Sequence, residues 1–214
     1  MIIALVIDQY DALNNGTTAS ARRFVENLRA NGHTVRLLTS GTPGKDKYLL
    51  PVWHIPIVSW FADKQGITFS KIEENTIQEF LTGADVVHFY LPFPLARAVE
   101  KMAKKMNIPC LAAFHVQPEN ITYNIGLGKV DLAARFFYKF LYHYFYKSFD
   151  DIHCPTEFIA EELRKNGYKA FVFRDSSINS YGCGYIIRTA GDKERMAEIL
   201  KKSGIRVNEI RESR

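Results

Sequence analysis

The sequence predicts an α/β fold, a Rossmann-like doubly wound parallel sheet. Three observations lead there. Short apolar runs rich in branched and aromatic residues recur along the chain, such as MIIALVI (1–7), DVVHFYL (85–91) and CLAAFHV (110–116). Between them lie longer stretches whose apolar residues fall at helical spacing, and Gly32, Gly83 and Gly167 stand where three of these stretches end. Continuous apolar runs suit strands buried on both faces. Strands that alternate with helices imply right-handed crossovers and a parallel sheet.

Taken in order, residues 2–7 form the first buried strand, and 8–15 a polar loop. Residues 17–30 carry Ala21, Phe24, Val25 and Leu28 on one helical face, and Asn31-Gly32 stops the helix. VRLLT (35–39) is a second strand. The stretch 42–70 holds Pro43, Pro51, Pro56, Gly44 and Gly66, so it is loop-rich with one edge strand over 52–58. A helix over 71–81 precedes the strand 85–91. A helix over 95–106 carries Lys101, Lys104 and Lys105 towards its end, favourable to the helix dipole. The strand 110–116 is followed by a long aromatic helix (131–149), a short strand (151–154) and a helix over 157–166. The α/β domain therefore spans residues 1–173.

Composition narrows the function classes. Of 214 residues, 47% are hydrophobic and 24% charged, a globular balance. The net charge of +5 admits attraction to anionic lipid or nucleotide phosphate but is too weak to imply nucleic acid. No apolar run reaches the ~18 residues of a membrane span, and the start MIIALVID lacks the cationic region and cleavage site of a secretion signal. Cys110, Cys154 and Cys183 have no metal-type spacing and read as free thiols of a reducing compartment. No metal site is expected.

Ligands of such sheets bind at the carboxyl ends of the strands. After the first strand Gly16 opens a helix, so the amides of Gly16, Thr17 and Thr18 offer an anion site. A plain cap by Asn15 or Thr17 accounts for the same residues. His88 lies within a strand and reads as a core histidine. After the strand 110–116 comes the densest polar cluster, His115, Gln117, Glu119 and Asn120. An imidazole there can donate or accept a proton, with Glu119 to orient it; a loop that bonds its own turn is the alternative. The helix 131–149 holds nine aromatic residues interleaved with Arg135, Lys139, His143 and Lys147. One buried face uses about half of those rings. The rest suit a lipid headgroup interface, with Arg135, Lys139, Tyr142, Tyr146 and Lys147 as membrane contacts. The competing explanation is a helix sandwiched against a partner surface.

Four stretches together resemble the N-terminal, acceptor half of family 4 glycosyltransferases, retaining enzymes of two facing Rossmann-like domains. They are NNGTTASARRFVENLRANGHTVRLLT (14–39), GADVVHFYLPFPL (83–95), IPCLAAFHVQPENITYNIGLG (108–128) and HCPTEFIAEELRKNGYKA (153–170). HVQPENITYNIG is especially similar to bacterial glucosyltransferases that act on diacylglycerol or related lipids. The resemblance implies that Asn15, Gly16 and Thr17 face the nucleotide phosphates and the acceptor. It implies that His115 sits beside the reacting sugar as the catalytic residue, with Gln117, Glu119 and Asn120 in the acceptor-side loop. It further implies a nucleotide-sugar donor such as UDP-glucose, no cofactor, a lipid acceptor, and a cytoplasmic enzyme peripheral at the inner face of an anionic membrane. Helix N-termini would stabilise the departing diphosphate. The whole reading requires Gly16 and His115 to converge on one crevice.

The family's chain continues after the position of Lys169 into a return strand, a linker and a second Rossmann domain that clamps the donor. Residues 174–214 read instead as an appendage replacing that domain: a Gly/Ser-rich turn, a strand over 185–188, a helix over 193–202 and a strand over 205–210. This tail is similar to the end of a small family of sulfur or selenium carriers, with Cys183 between Gly182 and Gly184. A natural fusion, a split enzyme with a separate donor-domain chain, and a truncation all fit. Low standalone turnover is expected. The alternative function is a non-catalytic or truncated Rossmann binding module fused to a carrier-like segment.

Overall fold

The computed structural model describes residues 1–12, 16–54, 67–116, 118, 131–149, 151–154, 157–168, 171–174, 184–187 and 209–211. The chain divides into two compact units, Met1–Cys110 and Leu111–Arg214.

In the first unit β1 (Ile2–Val6), β2 (Thr34–Thr39), β3 (Lys47–Leu49) and β4 (Val86–Phe89) lie in the order β3-β2-β1-β4. All three pairings are parallel, with Ile3 opposite both Val35 and Val86. β1 is flanked on both sides, and Ala4 to Ile7 are almost fully buried, which is why its sequence shows no alternation. Between β1 and β2 runs α1 (Gly16–Ala30), which buries Thr18, Ala21, Val25 and Leu28, a single stripe at spacings of three and four. Gly32 follows it at φ +81°, the left-handed conformation that closes helices.

α2 (Glu74–Leu81) begins three residues later than the pattern suggests. The backbone before it is already used: Lys71 N–H donates to the Pro51 carbonyl, and Val52 and Ser70 form an antiparallel bridge. α3 (Pro94–Lys105) starts on a proline, whose missing N–H costs nothing in a first turn. The edge strand expected over 52–58 reduces to that single bridge, with residues 55–66 outside the described ones. The actual edge of this order is β3, three residues of half-buried Lys-Tyr-Leu that carry no periodic signal.

In the second unit β5 (Cys110–Ala113) pairs in parallel with β6 (Asp151–Cys154), Ala112 opposite Ile152. Then β8 (Gly184–Ile187), β7 (Phe171–Arg174) and β9 (Glu209–Arg211) add in antiparallel fashion, giving β5-β6-β8-β7-β9. A return strand therefore exists, β7, where the sequence reading had none. β8 falls on the strand expected over 185–188 and β9 overlaps the end of the one expected over 205–210; the helix expected over 193–202 and Cys183 lie outside the described residues. The parallel strands alternating with helices make the fold α/β and Rossmann-like.

The helices of this unit are α4 (Asp131–Tyr144) and α5 (Glu157–Lys165). α4 does not run to residue 149. Phe145 leaves helical geometry at φ −137°, ψ −57°, and a 3-10 turn follows at Tyr146–Ser148. That break turns Phe145, Tyr146 and Phe149 inward, and all three are buried. They join Phe114, Tyr138 and Tyr168 in an aromatic core: Phe114 stacks on Tyr138 at 5.9 Å, and Tyr146 lies 5.0 Å from Phe114. Two of the buried phenols are satisfied, Tyr146 Oη donating to the Ala113 carbonyl and Tyr168 Oη to the Tyr138 carbonyl, both at 2.9 Å. Among the described residues no helix is long and apolar enough to cross a membrane.

Candidate functional site

In the first unit the chain leaving β1 is organised around Asp8. Its backbone carbonyl accepts hydrogen bonds from Ser40 N–H, Ser40 Oγ and Thr39 Oγ1 at 2.8–3.1 Å. Its carboxylate Oδ1 accepts the Ser70 N–H at 2.8 Å. One residue thus ties the ends of β1 and β2 to the strap that returns at Ser70. The side chain is buried, and burial pushes its pKa up to about 6 against the opposing hydrogen bonds of Ser70.

Gln9 follows. Its carbonyl accepts the Thr18 hydroxyl at 3.0 Å, which seats the first turn of α1 against the end of β1. Its side-chain Oε1 is buried and accepts no hydrogen bond among the described residues. Gly16 opens α1 at an exposed position. A Cβ there would meet nothing within 4 Å, and its φ lies outside the left-handed region. Among the described residues neither packing nor backbone strain demands glycine at 16. Thr17 is half-buried beside it. Asn15 lies outside the described residues.

The rim of this loop is held by charge. Arg22 reaches from α1 to donate to the carbonyls of Tyr10 and Ala12. Lys47 Nζ meets Asp11 at 2.6 Å, and Asp11 also accepts from Thr42 N–H and Oγ1. Burial alone would raise the Asp11 carboxyl, but the Lys47 and Thr42 contacts outweigh it and hold it below the ordinary value. Gly41, at φ +125°, is required here: a Cβ would come to 2.5 Å from Asp11 Oδ2. His88 is a core residue, as read, with Phe24 at 5.0 Å and Tyr90 at 5.2 Å.

In the second unit His115 stands just past β5. Burial pushes its pKa down to about 4, so the imidazole is neutral at physiological pH. It meets His153 of β6 edge-to-face at 5.7 Å. His153 was not singled out in the sequence, because a histidine inside the strand DIHC shows no polar cluster; only the parallel register of Ala113 with His153 brings it to the strand end. Gln117, Glu119 and Asn120 lie outside the described residues.

α4 has two aromatic faces. Tyr138 and Leu141 point inward and are buried. Leu132, Phe136 and Phe140 are 75%, 65% and 49% exposed and form one ridge at i, i+4, i+8. The exposed Arg135 and Lys139 run alongside, and Lys147 is exposed beyond the helix end. Tyr142 is half-buried, its ring 4.9 Å from Tyr168. Tyr146, expected at a membrane, is instead fully buried, since the break at Phe145 carries it into the core, where burial lifts its phenol well above the ordinary pKa. The exposed apolar residues of this helix are thus Leu132, Phe136 and Phe140, which the sequence could not separate from the inward rings.

The Glycosyltransferase Family 4 model matches residues 14–172. The chain is 28% identical to the alpha-monoglucosyldiacylglycerol synthase of Streptococcus pneumoniae, over 98% of this chain and 47% of the synthase. It is 22% identical to the GDP-mannose-dependent alpha-mannosyltransferase of Corynebacterium glutamicum, over 78% of this chain and 41% of that enzyme. The chain thus spans less than half the length of these curated relatives. A match over 98% of the chain runs through nearly all of the residues after 173, so the tail that looks carrier-like by itself is aligned with a glycosyltransferase. With parallel strands alternating with helices and a family match over well more than half of its length, the chain belongs to glycosyltransferase family 4.

Proposed function

We propose that this chain is the acceptor-binding half of a retaining glycosyltransferase. It serves transfer of a sugar from a nucleotide-sugar donor such as UDP-glucose to the hydroxyl of a membrane lipid of the diacylglycerol type. The observation that carries the lipid part is the outer face of α4. Three large apolar side chains in one ridge are costly in water, and two cations beside them suit anionic headgroups; an interfacial helix accepts both at once. The name of the pneumococcal relative, a synthase of a glucosylated diacylglycerol, agrees with it. The reading places the protein at the cytoplasmic face of an anionic membrane, with Arg135, Lys139 and Lys147 towards the headgroups. The donor half is assigned to the part of the relatives that this chain does not span, carried on the same or a separate chain.

No cofactor is called for. The donor is a substrate, and its diphosphate leaves with charge that helix N-terminal amides such as those of Gly16 and Thr17 stabilise. His115, neutral near pH 7, offers one N–H donor and one acceptor, which suits sugar hydroxyls. Gln117, Glu119, Asn120 and Asn15 are assigned to the acceptor and phosphate loops on the family resemblance.

Vesicle co-sedimentation tests the lipid reading. Binding to vesicles of phosphatidylglycerol and phosphatidylcholine is expected to weaken as salt rises. Phe136→Ser with Phe140→Ser is expected to reduce it by about tenfold or more without lowering the melting temperature. A wild-type chain that ignores such vesicles at low salt ends the lipid assignment. His115→Ala, placed in an enzyme supplied with its donor half, is expected to lower kcat by about a hundredfold or more; an unchanged rate removes His115 from the chemistry.

A further inference from the structure

We propose that His153 is the positioning residue of His115, and that the perpendicular contact between their rings aims the His115 imidazole. The inference rests on the reading of His115 as the catalytic residue, and it gives a role to a residue that neither the sequence motifs nor the family match singled out. β5 ends at Ala113, which lies opposite His153 of β6. The Phe114 N–H then donates to the His153 carbonyl at 2.8 Å, one residue before His115. Side chains two residues apart in extended chain share a face, which brings His115 from beside Ala113 over His153. The two rings meet with centroids 5.7 Å apart and planes at 89°. His153 is fully buried and His115 only partly. One ring is therefore held in the core while the other stands at the strand end.

The ring plane is what matters to the chemistry. His115 is neutral at physiological pH, and the N–H donor and the acceptor lone pair of a neutral imidazole both lie in its plane. The torsion that turns this plane sits in a broad energy well. His115 lies beyond the last residue of β5, so the strand ladder does not restrain that torsion. A ring set perpendicular to it does, because aromatic pairs favour this geometry. Packing alone does not ask for histidine at 153. Leucine would fill the core, and burying an imidazole costs more than burying an apolar side chain. The anchor on Phe114 comes from the His153 backbone, so substitutions at 153 leave it intact and isolate the ring.

The test begins with the full chain, isotopically labelled and observed by NMR. Wild type is expected to show cross-relaxation between the ring protons of His115 and His153; its absence overturns the proposal. His153→Phe is expected to keep the contact and the His115 ring resonances. His153→Leu is expected to move those resonances towards the positions of an unrestrained histidine, and resonances left in place overturn the proposal. The same variants are then assayed with the donor half supplied, on UDP-glucose and dioctanoylglycerol micelles. His153→Leu is expected to lower kcat about tenfold with KM and melting temperature unchanged, and His153→Phe to stay within about twofold of wild type. A loss shared by both variants and tracking the melting temperature shows a structural role only and overturns the proposal. A normal rate for His153→Leu beside a slow His115→Ala refutes His153 and leaves the reading of His115 standing. A normal rate for His115→Ala refutes both, whatever the spectra show.

Discussion

Asp8→Asn is expected to stabilise the protein near neutral pH by about 3 kcal/mol and to remove the contribution to stability that declines between pH 4 and 6. The carboxyl moves from 3.8 in the unfolded chain to about 6 in the folded one, because burial penalises its charge. Between those values the folded state holds more protons than the unfolded state, so stability declines as pH rises through the window and levels off above it. Two units of pKa at about 1.4 kcal/mol each set the size. Asparagine is neutral at every pH and keeps a carbonyl for the Ser70 N–H, so it mimics the protonated acid. His115 works in the opposite sense. Its folded pKa is about 4 against 6.5, so the unfolded state holds more protons there, and its contribution is intact above 6.5 and lost as pH falls towards 4. The wild type therefore shows a shallow acid profile in which the two groups offset each other. Asp8→Asn leaves the histidine alone, so stability then rises with pH. Urea titrations at a series of pH values measure this, and an Asp8→Asn protein no more stable than wild type near neutrality refutes it.

What the sequence reveals depends on whether a residue's partner is local. The runs at β1, β4 and β5 are buried on both sides and therefore apolar without interruption, a pattern that needs no tertiary knowledge. α1 and α3 show one stripe each and have clear stops. β3 was missed because three half-buried residues have no period, and its place is fixed only by parallel pairing of Leu37 with Lys47. β7 was missed because FVFR is too short to stand out beside a Gly/Ser-rich turn. The roles of Asp8 and Gln9 were invisible for another reason. A polar residue after a strand reads as an ordinary loop, and only coordinates show that one carboxyl is buried under Ser70 while the neighbouring amide oxygen accepts no hydrogen bond among the described residues. Gly16 and His115 are expected at the site because strand ends are privileged positions in this fold. They belong to different units of the chain.

α4 offers the sharpest contrast between two aromatic residues. On one unbroken helix Tyr146 would lie seven residues, or close to two turns, beyond Lys139 and so share its outer face. The break at Phe145 reverses that. Tyr146→Ala is expected to cost about 3–5 kcal/mol, the range for deleting a large buried ring, and it also strands the Ala113 carbonyl that the phenol now satisfies. Tyr146→Phe keeps the ring and loses the hydrogen bond, at about 1 kcal/mol or somewhat more. It should leave vesicle binding untouched. Phe140→Ser should do the reverse, weakening vesicle binding while the melting temperature stays put, because half of that ring already faces water. Denaturant midpoints and vesicle binding measured on the same three variants decide the matter. If Tyr146→Ala is tolerated and binds vesicles poorly, the helix continues past residue 145 in solution and Tyr146 belongs to the outer face. If the losses separate as stated, the membrane-facing and core-facing rings of this segment are divided by one backbone break, and the cations Arg135 and Lys139 lie on the side that stays wet.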